Sequence, residues 1–287
     1  MWTSWAESLS FKDGKLYFEL GPMRLTVIAE KDGKPCWKAV SAAVSQAVQA
    51  LCEVAENRRK LSRPAVEIDG GDFPEVVRRM VEACRATGDE TLTPMAAVAG
   101  AISDLAAEAA LKAGAEKVVV ENRGDIAVRF AEGFEGSATI GVKTSLQARN
   151  CRFLLEVKPE SGIGGVATSG LEGMGLTLGI ADAAVAAAST GALADACSTL
   201  LGNHTLTRNI PVERRKASEL DPSTDIPSLE VTVRVGRLTW KQRLEAVENG
   251  MREASRLMAR GSLLGALIVV GECWKAQPPN LFQPVKP

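Results

Sequence analysis

Histidine and tyrosine are almost missing from this chain: His204 and Tyr17 are the only ones in 287 residues. With one imidazole it cannot build a two- or three-histidine zinc site, or a histidine facial triad, without another subunit. No Cys-x-x-Cys pair occurs. The six cysteines (Cys36, Cys52, Cys84, Cys151, Cys197, Cys273) lie tens of residues apart, which argues against an iron–sulfur or zinc cluster and a dense disulfide framework. Several fall inside apolar helical patterns, where cysteine behaves as a small hydrophobe. A reduced, cytoplasmic chain is the expectation. Excess charge is missing too: 34 Lys+Arg against 35 Asp+Glu leave a net charge of −1, so there is no electrostatic footprint for nucleic acid or an anionic membrane. The opening MWTSWAESLSF has neither a basic nor an apolar signal region, so no secretory signal is expected. The weakly polar stretch Leu176–Leu201 carries Asp182 and Asp195 and is too polar to span a bilayer.

What is present suits a soluble globular chain: 46% hydrophobic and 24% charged residues, 26 Gly and 13 Pro, with length enough for a sizeable core. Alternation predicts an antiparallel strand pair, Lys15–Leu20 and Arg24–Ala29, joined at Gly21–Pro22. Trp37, Val40, Val44, Val48, Leu51 and Ala55 recur at helical spacing and lead into Arg58–Arg59–Lys60, the cationic end of a helix. A second helix is expected from Asp72-Phe73-Pro74-Glu75, as a capping box with Pro at the first helical position, to Gly88. A third runs from Thr93-Pro94 to Gly114. Strands are expected at Lys117–Glu121, Ile126–Phe130, Ala138–Val142, Arg152–Val157, Val166–Gly170 and Ala183–Ala188. A helix follows from Thr190 to Leu201, closed by Gly202-Asn203. Residues 207–228 read as a polar surface excursion. A long helix with Trp240 to Met258, ended by Gly261, a strand Leu264–Val270 and a Pro-rich tail (277–287) complete the chain. This order is α+β rather than a βαβ alternation. No linker divides it, so residues 1–287 are read as one domain.

Four places carry more than packing information. In Asp195-Ala-Cys-Ser-Thr199 the carboxylate and hydroxyl stand one helical turn apart on one face. Such a pair suits Mg²⁺, which takes few protein oxygens and completes its octahedron with water and phosphate. Equally, Asp195 could complement a helix dipole and Thr199 back-bond to a carbonyl. The glycine-rich Ser161–Gly170 run could turn backbone amides toward an anion, with Thr168, Ser169 and Gly170 at its end, or be a plain turn. Glu121–Ile126, with Gly124 and Asp125, is a hairpin turn between strands. Asp104 lies close to the apolar stripe of its helix, either as a functional group or as a solvated residue at the stripe's edge.

Taken in order, Gly100–Asp104, Gly124–Ile126, Ala167–Gly170 and Ala194–Thr199 resemble the ApbE-type FAD:protein FMN transferase superfamily, and more closely its small cytosolic branch from anaerobes. The resemblance covers residues 93–203 and implies a T-fold-like mixed or antiparallel sheet packed with long helices. It implies Mg²⁺ at Asp195 and Thr199, and FAD or a related nucleotide near Asp104, Gly124, Asp125, Thr168, Ser169 and Gly170. Metal coordination at a diphosphate would ease cleavage of the FMN–phosphate bond.

The chain departs from the family pattern at several points. Ala99 stands where a Lys is common, and Arg123-Gly124 where a doubled Gly is common. The family's His-containing loop is reduced to Leu171–Ile180, which has no His, Pro or Asp; Met174 occupies the place where the small branch often has His. The expected function is therefore binding of a flavin nucleotide or related diphosphate through Mg²⁺, with standard FMN transfer lost or altered. The alternatives are an active transferase on a cytosolic protein and, by resemblance, a role in sulfide assimilation into homocysteine. Apolar helix faces also permit a homodimer. Neither nucleic acid nor membrane is an expected partner.

Overall fold

In a computed structural model, residues 9–145, 149–171, 173 and 175–285 are described. The chain opens with strands β1 (Leu9–Lys12), β2 (Lys15–Leu20), β3 (Met23–Lys31) and β4 (Lys34–Pro35). Helices α1 (Trp37–Leu61), α2 (Glu75–Thr87) and α3 (Val98–Lys112) follow, then β5 (Lys117–Asn122), β6 (Asp125–Phe130), β7 (Ala138–Val142), β8 (Phe153–Val157), β9 (Gly165–Ser169) and β10 (Ala183–Ala188). After α4 (Gly191–Asn203) come β11 (Val212–Lys216), α5 (Ala217–Leu220), β12 (Glu230–Val235), α6 (Trp240–Ala259), β13 (Gly265–Val270), β14 (Cys273–Gln277) and β15 (Gln283–Pro284). This is the α+β class that the element order predicts.

One large antiparallel sheet runs β1-β2-β3-β5-β6-β9-β10-β13-β14, with β4 paired to β3. Alternation splits its side chains between two cores. On one face Val27, Val118, Ala127, Ala184 and Ile268 pack under α1 to α4 and α6. On the other, Val128, Val166, Val185 and Leu267 meet Phe153 and Leu155 of the small sheet β15-β8-β7, and Phe282 just before β15. Helices, large sheet and small sheet thus form three layers.

Pro94–Lys112 is long and apolar enough to cross a membrane by composition, but 61% of that window is buried in the fold. It is a core helix, which explains why the carboxylate within it needs special partners.

Several local expectations need correction. The capping box at Asp72 does not form: Pro74 is the N-cap of α2 and no side chain caps it, because Pro at that place is extended rather than in the first turn. Gly202 and Asn203 do not close α4; they lie within it, and His204 is the C-cap. The Asn203 side chain instead accepts a hydrogen bond from Leu178 N–H at 2.9 Å, tying the 175–182 segment to the helix end. The excursion at 207–228 contains β11 and α5, and β11 pairs with β12. The Pro-rich tail pairs back through β15 onto β8 and buries Phe282 completely. Met174 and the first eight residues lie outside the described residues.

β10 reads AAVAAA and is buried throughout. Alanine is a weak strand former, but only small side chains let α4 lie this close to the sheet. A Cβ at Gly165 of β9 would stand 2.3 Å from Gly191 N, at the start of α4.

Candidate functional site: two helices that close each other's first turn

The first turn of a helix leaves N–H groups unpaired and carries a partial positive charge. In α4 the Thr190 side chain accepts from Leu193 N–H at 3.2 Å, which leaves the N–H groups of Gly191 and Ala192. Both donate to the Asp104 carboxylate of α3, at 2.8 and 2.9 Å. The reverse contact is also made. Asp195 of α4 accepts from Gly100 N–H at 3.0 Å and from Ala99 N–H, both in the first turn of α3. Asp195 therefore does complement a helix dipole, but that of the neighbouring helix.

The crossing is possible because glycine stands at the contact in both helices. A Cβ on Gly100 would meet Gly191 O at 2.1 Å, and a Cβ on Gly191 would meet Gly100 O at 2.8 Å. The two segments share one pattern, Gly100-Ala-Ile-Ser-Asp104 and Gly191-Ala-Leu-Ala-Asp195.

Asp104 is completely buried, and burial pushes its carboxyl above the usual range against the pull of Arg129 and the two N–H groups. Arg129 Nη2 is 2.7 Å from Asp104 Oδ1. With only donors facing it, the group is held as a carboxylate at neutral pH. Arg129 Nη1 also donates to Gly164 O at 2.7 Å, anchoring the helix pair to the segment that enters β9. Beyond it lie Glu108, Arg79 and Glu75, an alternating ion-pair network that reaches the surface. Burial opposes ionisation of Glu108, yet Arg79 and Arg129 keep it below the usual carboxylate range. Arg129 is the site residue that sequence reasoning missed. A lone Arg in a strand gives no signal, whereas the repeated Gly-Ala-x-x-Asp was available to be read.

Asp125 begins β6 on the helix side of the sheet, just after the Arg123–Gly124 turn, where both residues have positive φ (57° and 103°). Its carboxyl accepts from Thr168 N–H, and Ser103 Oγ donates to its main-chain carbonyl at 3.1 Å. Asp125 Oδ1 is buried without a hydrogen-bond partner among the described residues. Burial first, and then the nearby Asp195 charge, push the Asp125 carboxyl well above its ordinary range. Burial also pushes Asp195 up to about 7, against the pull of the Gly100 and Ala99 N–H groups. Two desolvated carboxyls that feel each other's charge favour taking up a proton or a cation.

The remaining expected residues divide by sheet face. Ser169 pairs with Ala184 and Thr168 with Val185, and these partners belong to opposite cores. Ser169 therefore faces α4, where a Cβ on Gly202 would lie 3.5 Å from its Oγ. Thr168 points its side chain away and brings only its N–H to Asp125. Gly170 (φ 143°) has no room for a side chain, since a Cβ would meet Asp182 O at 2.5 Å. Around Gly124 such an atom would meet open space. Thr199, one turn beyond Asp195 on the same face, is partly exposed and has no hydrogen-bond partner among the described residues. It does not back-bond to its helix.

Asp104 meets the start of α4, Asp125 interacts with Asp195 and Ser169 lies against Gly202, while no hydrogen bond among the described residues ties the Thr199 side chain to them. No group of three or more His, Cys, Asp or Glu able to hold a metal occurs among the described residues. Two carboxylates and a hydroxyl, all hard oxygen donors with one orphaned oxygen, fit a cation that takes its other ligands from phosphate and water.

A sequence model of the family described as AbpE bacteria matches residues 7–276. The chain belongs to that family. It is 43% identical over 132 residues to a UPF0280 protein of Methanosarcina acetivorans, covering 45% of this chain and 49% of that one. It is 41% identical over 131 residues to a UPF0280 protein of Methanothrix thermoacetophila, covering 45% and 52%. The chain thus spans about half the length of the curated relatives it matches. Among solved structures it is similar to the apo flavinyl transferase ApbE of Pseudomonas stutzeri, with TM-score 0.46, 12% identity and coverage of 93% and 92%. It is likewise similar to the ApbE protein of Thermotoga maritima, with TM-score 0.46, 13% identity and coverage of 95% and 96%. Within this AbpE-bacteria chain, Asp195 and Asp125 give a testable pH signature. A carboxyl raised in the folded state takes up a proton on folding between its unfolded value near 3.8 and its folded value near 7. Its contribution to stability is therefore greatest in acid, falls as pH rises through that window, and is level above it. Thermal unfolding should show the advantage of wild type over Asp195→Asn shrinking from pH 4.5 to pH 7. A difference that grows with pH would show that Asp195 is an ordinary ionised cap.

Proposed function

We propose that this chain binds a flavin nucleotide or a related diphosphate through Mg²⁺ held at Asp195 and Thr199, with standard FMN transfer lost or altered. The observation that carries this reading is the orphaned Asp125 Oδ1 beside a second carboxyl raised by burial. Such a pair stands ready to exchange a proton for a cation. Membership of the AbpE bacteria family supports the ligand class. So does the electrostatics of the two helices. Both first turns are already occupied by carboxylates, so neither offers free N–H groups to a phosphate, and a cation is the remaining means of attracting one. Bound there, Mg²⁺ would neutralise diphosphate charge and make the phosphate bond easier to break. Asp195 and Thr199 would hold it, Asp125 would complete or relay through its free oxygen, and Asp104 with Arg129 would keep α4 in place. Ser169, on the face toward α4, would contact the nucleotide.

The position of the imidazole supports the altered-transfer part of this reading. His204 is the C-cap of α4, about 13 Å along the axis from Asp195 at 1.5 Å per residue. No other histidine exists to activate an acceptor hydroxyl.

Titration of the purified chain with FAD, with and without Mg²⁺, tests the reading. Affinity should depend on Mg²⁺ and weaken at least about tenfold in Asp195→Asn, as loss of a metal ligand or its close support does. Metal-independent or undetectable binding would refute it. AMP release together with a mass gain on an acceptor protein would instead establish the active transferase.

A further inference from the structure

At the opposite end of α4 the surface is hollowed on either side of His204. One hollow, of about 500 Å³, is lined by His204, Leu206, Asn249, Arg252, Glu253 and Arg256. The other, of about 320 Å³, shares His204 and Leu206 and adds Leu92, Leu178 and Leu200 together with the polar Asp89, Thr91 and Asn203. One side is rich in hydrogen-bond donors and the other in leucine, and each has the volume of a small-ligand pocket.

The donor side is built around a buried acid. Glu253 of α6 is 7% exposed. Its carboxylate receives Arg256 Nε at 2.9 and 3.0 Å, and Oε2 lies 4.0 Å from His204 Nδ1. Arg256 Nη2 also donates to Thr87 O at 2.8 Å, which leaves Nη1 without a partner among the described residues. Burying a carboxylate is costly, and an apolar residue of similar size would serve packing as well or better. What the acid achieves is to fix a guanidinium, and to face an imidazole, at the wall of a hollow. Glu253 cancels the charge of Arg256. Arg252, one turn earlier, donates to Asn249 Oδ1 and has no carboxylate partner among the described residues, so its charge is uncancelled. Asp89 on the leucine side accepts from Thr91 and Leu92 in its own turn, and its charge also acts on Arg256, which leaves Arg252 as the cation available to an anion.

We propose that this paired hollow is a binding site for a small amphipathic anion, its phosphate or carboxylate on Arg252, Arg256 and Asn249 beside His204 and its apolar body against Leu92, Leu178 and Leu200. The hollows open at the His204 end of α4, whereas Asp195 lies more than two turns earlier in the helix.

The single histidine makes the test direct, because its imidazole gives one unambiguous NMR resonance. Titration with phenyl phosphate should move that resonance saturably. Affinity should fall at least tenfold in Arg252→Ala, whose exposed side chain leaves the fold intact. Inorganic phosphate, lacking the apolar body, and phenol, lacking the charge, should each bind at least tenfold more weakly. A resonance that does not move with phenyl phosphate, an unchanged affinity in Arg252→Ala, or equal binding of inorganic phosphate would each overturn the proposal. Because neither Mg²⁺ nor FAD enters this titration, its outcome is separate from that at Asp195.

Discussion

Gly100→Ala is expected to destabilise the chain by about 3 kcal/mol, the range for forcing extra volume into a packed interior, although alanine favours an isolated helix by about 1 kcal/mol. The added methyl would sit 2.1 Å from Gly191 O and 2.8 Å from Ala192 N. These are backbone atoms, so no rotamer change relieves the clash; α3 and α4 must separate. Separation lengthens all four N–H to carboxylate contacts together. Gly191→Ala should cost less, because the same atom there would stand 2.8 Å from Gly100 O and 3.1 Å from Asp104 Oδ1. Chemical denaturation of the two variants gives the ranking directly. A Gly100→Ala protein as stable as wild type, or a reversed order, would contradict the close crossing.

Asp104→Ala should be at least as damaging, with a loss of about 3–5 kcal/mol for removing one partner of a buried ion pair. Two N–H groups of α4 lose their acceptor, and Arg129, whose side chain is only 17% exposed, keeps its charge. Its bonds to the Gly164 and Val128 carbonyls remain, but Glu108, at 3.4 Å, is then its only carboxylate partner among the described residues, so much of the cost is the poorly compensated cation. The double variant Asp104→Ala/Arg129→Met should recover about 2 kcal/mol relative to Asp104→Ala alone, a coupling within the range for groups in contact. Simple additivity in denaturant melts would mean that Arg129 and Asp104 act separately.

The elements legible in the sequence are those with one wet and one dry face. α1 and α6 carried their apolar stripe at three- and four-residue spacing, β2 alternated and β5 was β-branched, so their boundaries fell within a few residues of Trp37–Leu61, Trp240–Ala259, Lys15–Leu20 and Lys117–Asn122. Two of the strands that escaped notice expose both faces. β1 is exposed along its whole length and β11 nearly so, so neither has a hydrophobic period to detect. β15 contains a proline and is recognisable only by its partner β8. At the site, Asp195 and Thr199 stood out through residue type and spacing, and Asp125 only through the family resemblance. The burial of Asp104 did not, because an aspartate on an alanine-rich helix reads as solvated until the second helix is laid across it. The division of Thr168 and Ser169 between faces also depends on strand register, which pattern alone does not fix.

Mutual closure has a consequence for how this region can come apart. Helix ends ordinarily fray one at a time, each releasing a single turn to water. Here, unwinding the start of either helix would withdraw the acceptor from the other, baring both sets of amides and both acids in one step. Fraying is therefore replaced by concerted opening, and Asp195 keeps its orientation until the helix pair as a whole gives way.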